Sequence, residues 1–124
     1  MAQDTVTYTN QTDINNFNSD SIFSSLVIES DSALYLDSLN KIIFIENDLI
    51  IRNCNQLLSN EYFKNLEYVG GKIKIINNNL FELKGFENIT YYNSLEVFNN
   101  SNLETFVFDN YNTNISKKLK TSII

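Results

Sequence analysis

The 124-residue chain predicts a β-dominated α/β solenoid, with a parallel sheet on one face and about four coils of roughly 23 residues, on three observations. The first is a recurring five-residue segment. Leu49-Ile50-Ile51-Arg52-Asn53, Ile73-Lys74-Ile75-Ile76-Asn77 and Leu95-Glu96-Val97-Phe98-Asn99 each read apolar, any, apolar, any, Asn. Leu26-Val27-Ile28-Glu29-Ser30 is an upstream copy with Ser in the last slot, and the starts at 26, 49, 73 and 95 lie 23, 24 and 22 apart. The second is a Leu seven or eight residues after each start, at Leu34, Leu57, Leu80 and Leu103. The third is an apolar series that keeps step: Leu39/Ile42/Ile45, Phe63/Leu66/Val69 and Phe86/Ile89/Tyr92. One such unit cannot bury its own apolar side, so equivalent units must roof one another.

The elements follow in order along a single domain, 1–124. Residues 1–20 read as an N-terminal cap. Thr5 to Thr9 alternates β-branched residues as a strand does, and Thr12 is placed to cap a short helix over Asp13 to Phe17 with Ile14 and Phe17 inward. Residues 21–108 are the repeats, with corners expected at Asp31-Ser32 and Asn47-Asp48. Asn60 to Leu66 is predicted to form one or two helical turns that carry Phe63 and Leu66 inward. Gly70-Gly71 reads as a tight corner needing positive φ, and Gly85 as a further bend. Beyond Asp109 the pattern fades, and 109–124 is expected to be a C-terminal cap or tail.

Composition narrows the function. A formal charge of -6, from 9 basic and 15 acidic residues, argues against nucleic acid, because no basic patch is present to neutralise phosphates. No apolar run is long enough to span a bilayer. Cys54 stands alone, so the sequence offers neither an internal disulfide nor a cysteine metal cluster. With no His, a Ser or Cys nucleophile lacks its usual base. Glu82, Glu87, Glu96 and Glu104 are read as solvated charges rather than a glycosidase pair. The expectation is therefore no enzyme activity, no catalytic residue, no metal and no cofactor. The polar start, Met1 to Asp4, carries no leader pattern and reads as the beginning of a mature secreted chain.

Strand alternation then sorts the repeat into faces. The inward columns are Leu26/Leu49/Ile73/Leu95 and Ile28/Ile51/Ile75/Val97. Ser30, Asn53, Asn77 and Asn99 form a column at the strand ends, where a short amide is expected to satisfy turning backbone. The outward columns are Val27/Ile50/Lys74/Glu96 and Glu29/Arg52/Ile76/Phe98. Apolar side chains on a face expected to meet water mark Ile50, Arg52, Lys74, Ile76, Glu96 and Phe98 as the candidate ligand-binding residues. Tyr62, Tyr68, Tyr91, Tyr92 and Tyr111 form an aromatic row that raises sugar stacking as a further idea.

The stretch Lys64 to Thr90, with Val69-Gly70-Gly71-Lys72-Ile73-Lys74-Ile75-Ile76-Asn77-Asn78-Asn79-Leu80 at its centre, resembles the receptor L domain and its bacterial leucine-rich-repeat relatives. The likeness runs from about Thr5 to Phe108, departing where Asn93-Ser94 and Ile45-Glu46-Asn47-Asp48 stand in place of the family's glycine corner. The resemblance implies a right-handed solenoid, a secreted or cell-surface setting and non-catalytic recognition or adhesion toward a protein or glycan ligand through the sheet face. A structural alternative is end-to-end stacking of a poorly capped solenoid into homo-oligomers or filaments.

Overall fold

The computed structural model describes residues 4–58, 61–108 and 121–123. It is β-dominated and solenoid-like, and every strand pairing among the described residues is parallel. The elements are β1 (Val6–Tyr8), α1 (Gln11–Asn16), β2 (Ser21–Ile22), β3 (Leu26–Ile28), β4 (Ala33–Leu34), a 3-10 turn (Asp37–Lys41), β5 (Phe44–Ile45), β6 (Leu49–Arg52) and β7 (Gln56–Leu57). There follow β8 (Tyr68–Val69), β9 (Lys72–Ile76), β10 (Glu82–Gly85), β11 (Ser94–Phe98), β12 (Thr105–Phe108) and β13 (Thr121–Ile123).

The main sheet has the order β1-β3-β6-β9-β11-β13. Leu26 pairs with Leu49, Leu49 with Ile73, and Ile73 with Leu95, so the columns expected from the repeat are the columns observed. Three smaller sheets, β2-β5-β8, β4-β7 and β10-β12, are formed by the segments between the main strands. Among the described residues no two-residue hairpin joins any pair. Each main strand from β3 to β11 meets its neighbour only after the chain has travelled through the other sheets, which is what parallel pairing demands.

The inward positions are buried without exception among Leu26, Leu49, Ile73, Leu95, Ile28, Ile51, Ile75 and Val97. The second apolar series is buried as well, from Leu39, Ile42 and Ile45 through Phe86, Ile89 and Tyr92. Each aliphatic member contributes about 1.5–3 kcal/mol of transfer free energy, largely offset by the entropy of ordering its segment. Phe63 and Phe86 stack with ring centroids 5.8 Å apart. Repetition of sequence has become repetition of contact.

Several local expectations are corrected. The helix over the start of the chain is capped by Asn10, not Thr12: the Asn10 Oδ1 accepts from the Asp13 N–H at 2.9 Å. The helix predicted over Asn60 to Leu66 is absent from the described part, where Phe63 has φ 52 and ends any helical run. Phe86 repeats this conformation at φ 56. Both rings are nonetheless inward and buried.

Neither Gly70 nor Gly71 has a positive φ; Gly70 is required for room, while a Cβ on Gly71 would first meet the Asp48 carboxylate. A Cβ on Gly70 would lie 1.9 Å from the Glu46 carbonyl oxygen, and Gly85 alone among glycines has a positive φ, at +155. The Glu46 and Gly70 segments run side by side as neighbouring layers, so backbone lies on backbone. Of the expected C-terminal cap or tail, 109–120 and 124 lie outside the described residues, while β13 pairs with β11 on the main sheet.

At the N-terminus β1 extends the main sheet alongside β3. Helix α1 joins through a side chain acting as a strand: Gln11 donates Nε2–H to the Tyr35 carbonyl at 2.9 Å, and its Oε1 accepts the Tyr35 N–H at 2.7 Å. An amide so placed satisfies backbone groups that otherwise lack a neighbouring layer.

Candidate functional site

The outward face of the main sheet brings together all six residues singled out by the repeat. Ile50, Lys74 and Glu96 lie in one row across β6, β9 and β11, and Arg52, Ile76 and Phe98 in the next. Arg52 is exposed, and the other five are half-buried. Opposite charges on Lys74 and Glu96 occupy directly paired positions, while Ile76 and Phe98 make an apolar step beside them. At the β3 end the face changes. Val27 is 5 % exposed, and the Arg52 Nε meets the Glu29 Oε2 at 3.3 Å. That ion pair is solvent-exposed and contributes little to stability.

The strand ends carry a feature that lies one residue beyond the place the repeat assigns to it. Asn53, Asn77 and Asn99 are exposed and adopt φ 52, 57 and 57. Asn tolerates the left-handed region better than other side chains, and this is why it recurs there. The buried amides are the next residues, Asn78 and Asn100. Asn78 donates Nδ2–H to the Ile51 carbonyl at 2.9 Å and accepts the Cys54 N–H on Oδ1 at 3.0 Å. Asn100 repeats the pattern, donating to the Ile75 carbonyl at 2.9 Å and accepting the Asn78 N–H at 3.0 Å. Each amide ties its own layer to the one before.

Cys54 occupies the same slot as those amides, with its Sγ 3.6 Å from the Ile28 carbonyl. Burial pushes its thiol up to about 11, a hydrogen bond from the Ser30 backbone opposing the rise and the nearby Glu29 charge adding to it. It is a structural cysteine in an apolar setting rather than an activated nucleophile.

Outside the main sheet a stack of rings runs across β2, β5 and β8. Phe44 and Tyr68 lie 5.0 Å apart at 7°, and Tyr68 and Tyr91 lie 5.2 Å apart at 16°. Phe23, 53 % exposed, leans on Phe44 at 5.8 Å. This dissolves the expected tyrosine row: Tyr62 and Tyr92 are core residues, and Tyr111 lies outside the described residues. Tyr68 has a ring against each of its faces, leaving its edge outward. The signal for the stack is the spacing of Phe44, Tyr68 and Tyr91, which a count of tyrosines obscures.

Open hollows line the asparagine corner. One of about 680 Å³ is bordered by Asp31, Asn53, Asn55, Asn77, Asn79 and Asn99 among others. Among the described residues no group of three His, Cys, Asp or Glu is arranged to hold a metal ion, and no helix is long and apolar enough to cross a membrane. Glu82 lies on β10 paired with Lys84 at 3.2 Å, and Glu96 lies on the main sheet. No family model, no curated protein and no solved structure matches the chain.

Proposed function

We propose that the chain is a non-catalytic recognition module of a secreted or cell-surface protein, built as a right-handed leucine-rich-repeat-like solenoid of about four coils, which binds a protein ligand through the outward face of its main sheet. The observation that carries this reading is the juxtaposition of half-buried Ile76 and Phe98 with Arg52, Lys74 and Glu96 on one exposed face. An apolar step ringed by charges of both signs suits a protein surface, where a few desolvated side chains supply affinity and the surrounding charges set orientation. Parallel layers in the observed register support the solenoid, and the resemblance of Lys64 to Thr90 to receptor L domains suggests the handedness and the extracellular setting.

The test is binding of the purified protein to an array of extracellular protein ectodomains, repeated with the double variant Ile76→Asp/Phe98→Asp. Binding that falls at least about tenfold in the variant, with its circular dichroism unchanged, is expected. Equal binding by variant and wild type would place the contact elsewhere and end this reading.

A second reading, end-to-end self-association, draws on the sheet order. Among the described residues β1 and β13 each pair on one side only, and such edges invite another copy. Sedimentation velocity over a range of concentrations separates the two. A rising sedimentation coefficient supports stacking, and a constant monomer value rejects it.

A further inference from the structure

Three adjoining hollows form one groove along the asparagine corner, beside the main sheet and meeting its outward face at Glu29. The first shares Asp31 and Asn53 with the second, and the second shares Asn79, Ser101 and Asn102 with the third. The groove therefore crosses successive layers, from the one holding Glu29 and Asp31 to the one holding Asn99 and Asn102.

Its chemistry is unusual for a protein surface. The described lining residues include no Lys or Arg, and side-chain amides dominate. Each amide offers donors and an acceptor, the complement of a hydroxyl, which also does both. These amides are held in place by one another. The Asn102 Nδ2–H donates to the Asn79 Oδ1 at 2.6 Å, that of Asn77 to the Asn53 Oδ1 at 3.4 Å, and that of Asn55 to the Asp31 carbonyl at 3.2 Å. The left-handed backbone at Asn53, Asn77 and Asn99 fixes their projection. Such preorganisation lowers the entropy cost of binding.

At the far end stands Phe81, 64 % exposed and without a ring partner among the described residues. An aromatic face left open beside a hydroxyl-matching groove presents an apolar platform next to polar contacts. Of the acidic residues at the ends, Glu29 is paired with Arg52, while Asp31 and Glu104 are left to repel phosphate, sulfate or uronate. Strands repeat every ~4.8 Å across the groove, a spacing comparable to the advance of one pyranose ring along an extended oligosaccharide.

From these features we infer that the corner groove binds a neutral oligosaccharide of about four hexoses, laid across the layers with one ring on Phe81 and its hydroxyls on the amides of Asn77, Asn79, Asn99 and Asn102. This site is independent of the protein-binding face proposed above.

The experiment is a printed glycan array carrying neutral, sulfated, sialylated and uronate oligosaccharides, followed by saturation-transfer NMR on the tightest neutral probe. A Lys-rich peptide serves as competitor. The expected result is binding confined to neutral probes, weakened at least about tenfold by Phe81→Ala and by Asn102→Ala and unchanged by Ile76→Asp/Phe98→Asp. Both single positions are exposed, so their substitution leaves the core intact. The inference is overturned if no neutral glycan binds, if the charged probes or the peptide bind more tightly, or if Phe81→Ala binds as wild type. Loss of glycan binding in the sheet-face variant alone would also overturn it, by moving the sugar onto the sheet.

Discussion

At the level of single residues, the corner amides show how a small polar group sustains a stack of layers. Asn78 Nδ2 and Oδ1 satisfy a carbonyl in the preceding layer and an N–H of Cys54, both buried. Asn78→Ala leaves the Cys54 N–H without its acceptor and takes one hydrogen bond from the Ile51 carbonyl. Its unfolding free energy is expected to fall by about 2–4 kcal/mol in a urea titration, from one unsatisfied buried N–H at roughly 1–3 kcal/mol and one lost hydrogen bond at about 1 kcal/mol. A loss below about 0.5 kcal/mol would show that water replaces the amide without penalty. Cys54 gives a pH dependence. Its folded-state thiol is raised from an ordinary 9.0 to about 11, so well below pH 9 it is protonated in both states and contributes no slope. Above that the unfolded chain releases its proton first, and stability falls with rising pH until the folded thiol also ionises, by about 1.4 kcal/mol per pH unit. Unfolding titrations between pH 8 and 10.5, compared with Cys54→Ser, check the sign. Labelling of the native thiol with a disulfide reagent at pH 8 is expected to be at least about a hundredfold slower than in denaturant, because a thiol raised from 9.0 to about 11 holds that much less thiolate and is buried besides.

Among elements, the corners are set by contact between backbones. Gly85 adopts φ +155 beside Tyr62, and an added Cβ would stand 2.1 Å from the Tyr62 carbonyl oxygen. Gly85→Ala therefore suffers both an unfavourable backbone conformation and a clash with main chain that has no side-chain rotamer to relieve it. A destabilisation of about 2–4 kcal/mol in chemical denaturation is expected, and a neutral outcome would mean that the β10 layer can move away from its neighbour. The strands are legible in the sequence because side-chain alternation repeats over long stretches and each column is homogeneous: Leu26, Leu49, Ile73 and Leu95 need no context to be sorted inward. The bends are not. Phe63 and Leu66 have helical spacing, yet three-residue spacing on a tight left-handed turn places them inward equally well. The buried Asn column falls one residue later than the repeat suggests for a related reason. In Asn77-Asn78 and Asn99-Asn100 one residue needs the left-handed conformation and the next needs the buried hydrogen bonds, and both demands select the same amino acid. Gly70 carries the sequence signature of a positive φ although close approach alone excludes a side chain there.

For the whole molecule, the sheet face is readable from the repeat, since outward positions are whatever the inward columns leave over. The groove is not, because it is assembled from residues of successive layers and its rim residue Phe81 has no chemical partner in the sequence to draw attention to it. Both surfaces rest on the same premise, that residues one repeat apart are neighbours on adjacent parallel strands. Nuclear Overhauser contacts in an isotope-labelled sample test that premise most directly. Backbone contacts from residue 50 to 74 and from 74 to 96 are expected, as the observed register requires. Contacts that instead join these strands antiparallel, or that join residue 50 to a strand other than the two holding 27 and 74, would contradict the layered arrangement and both binding surfaces with it.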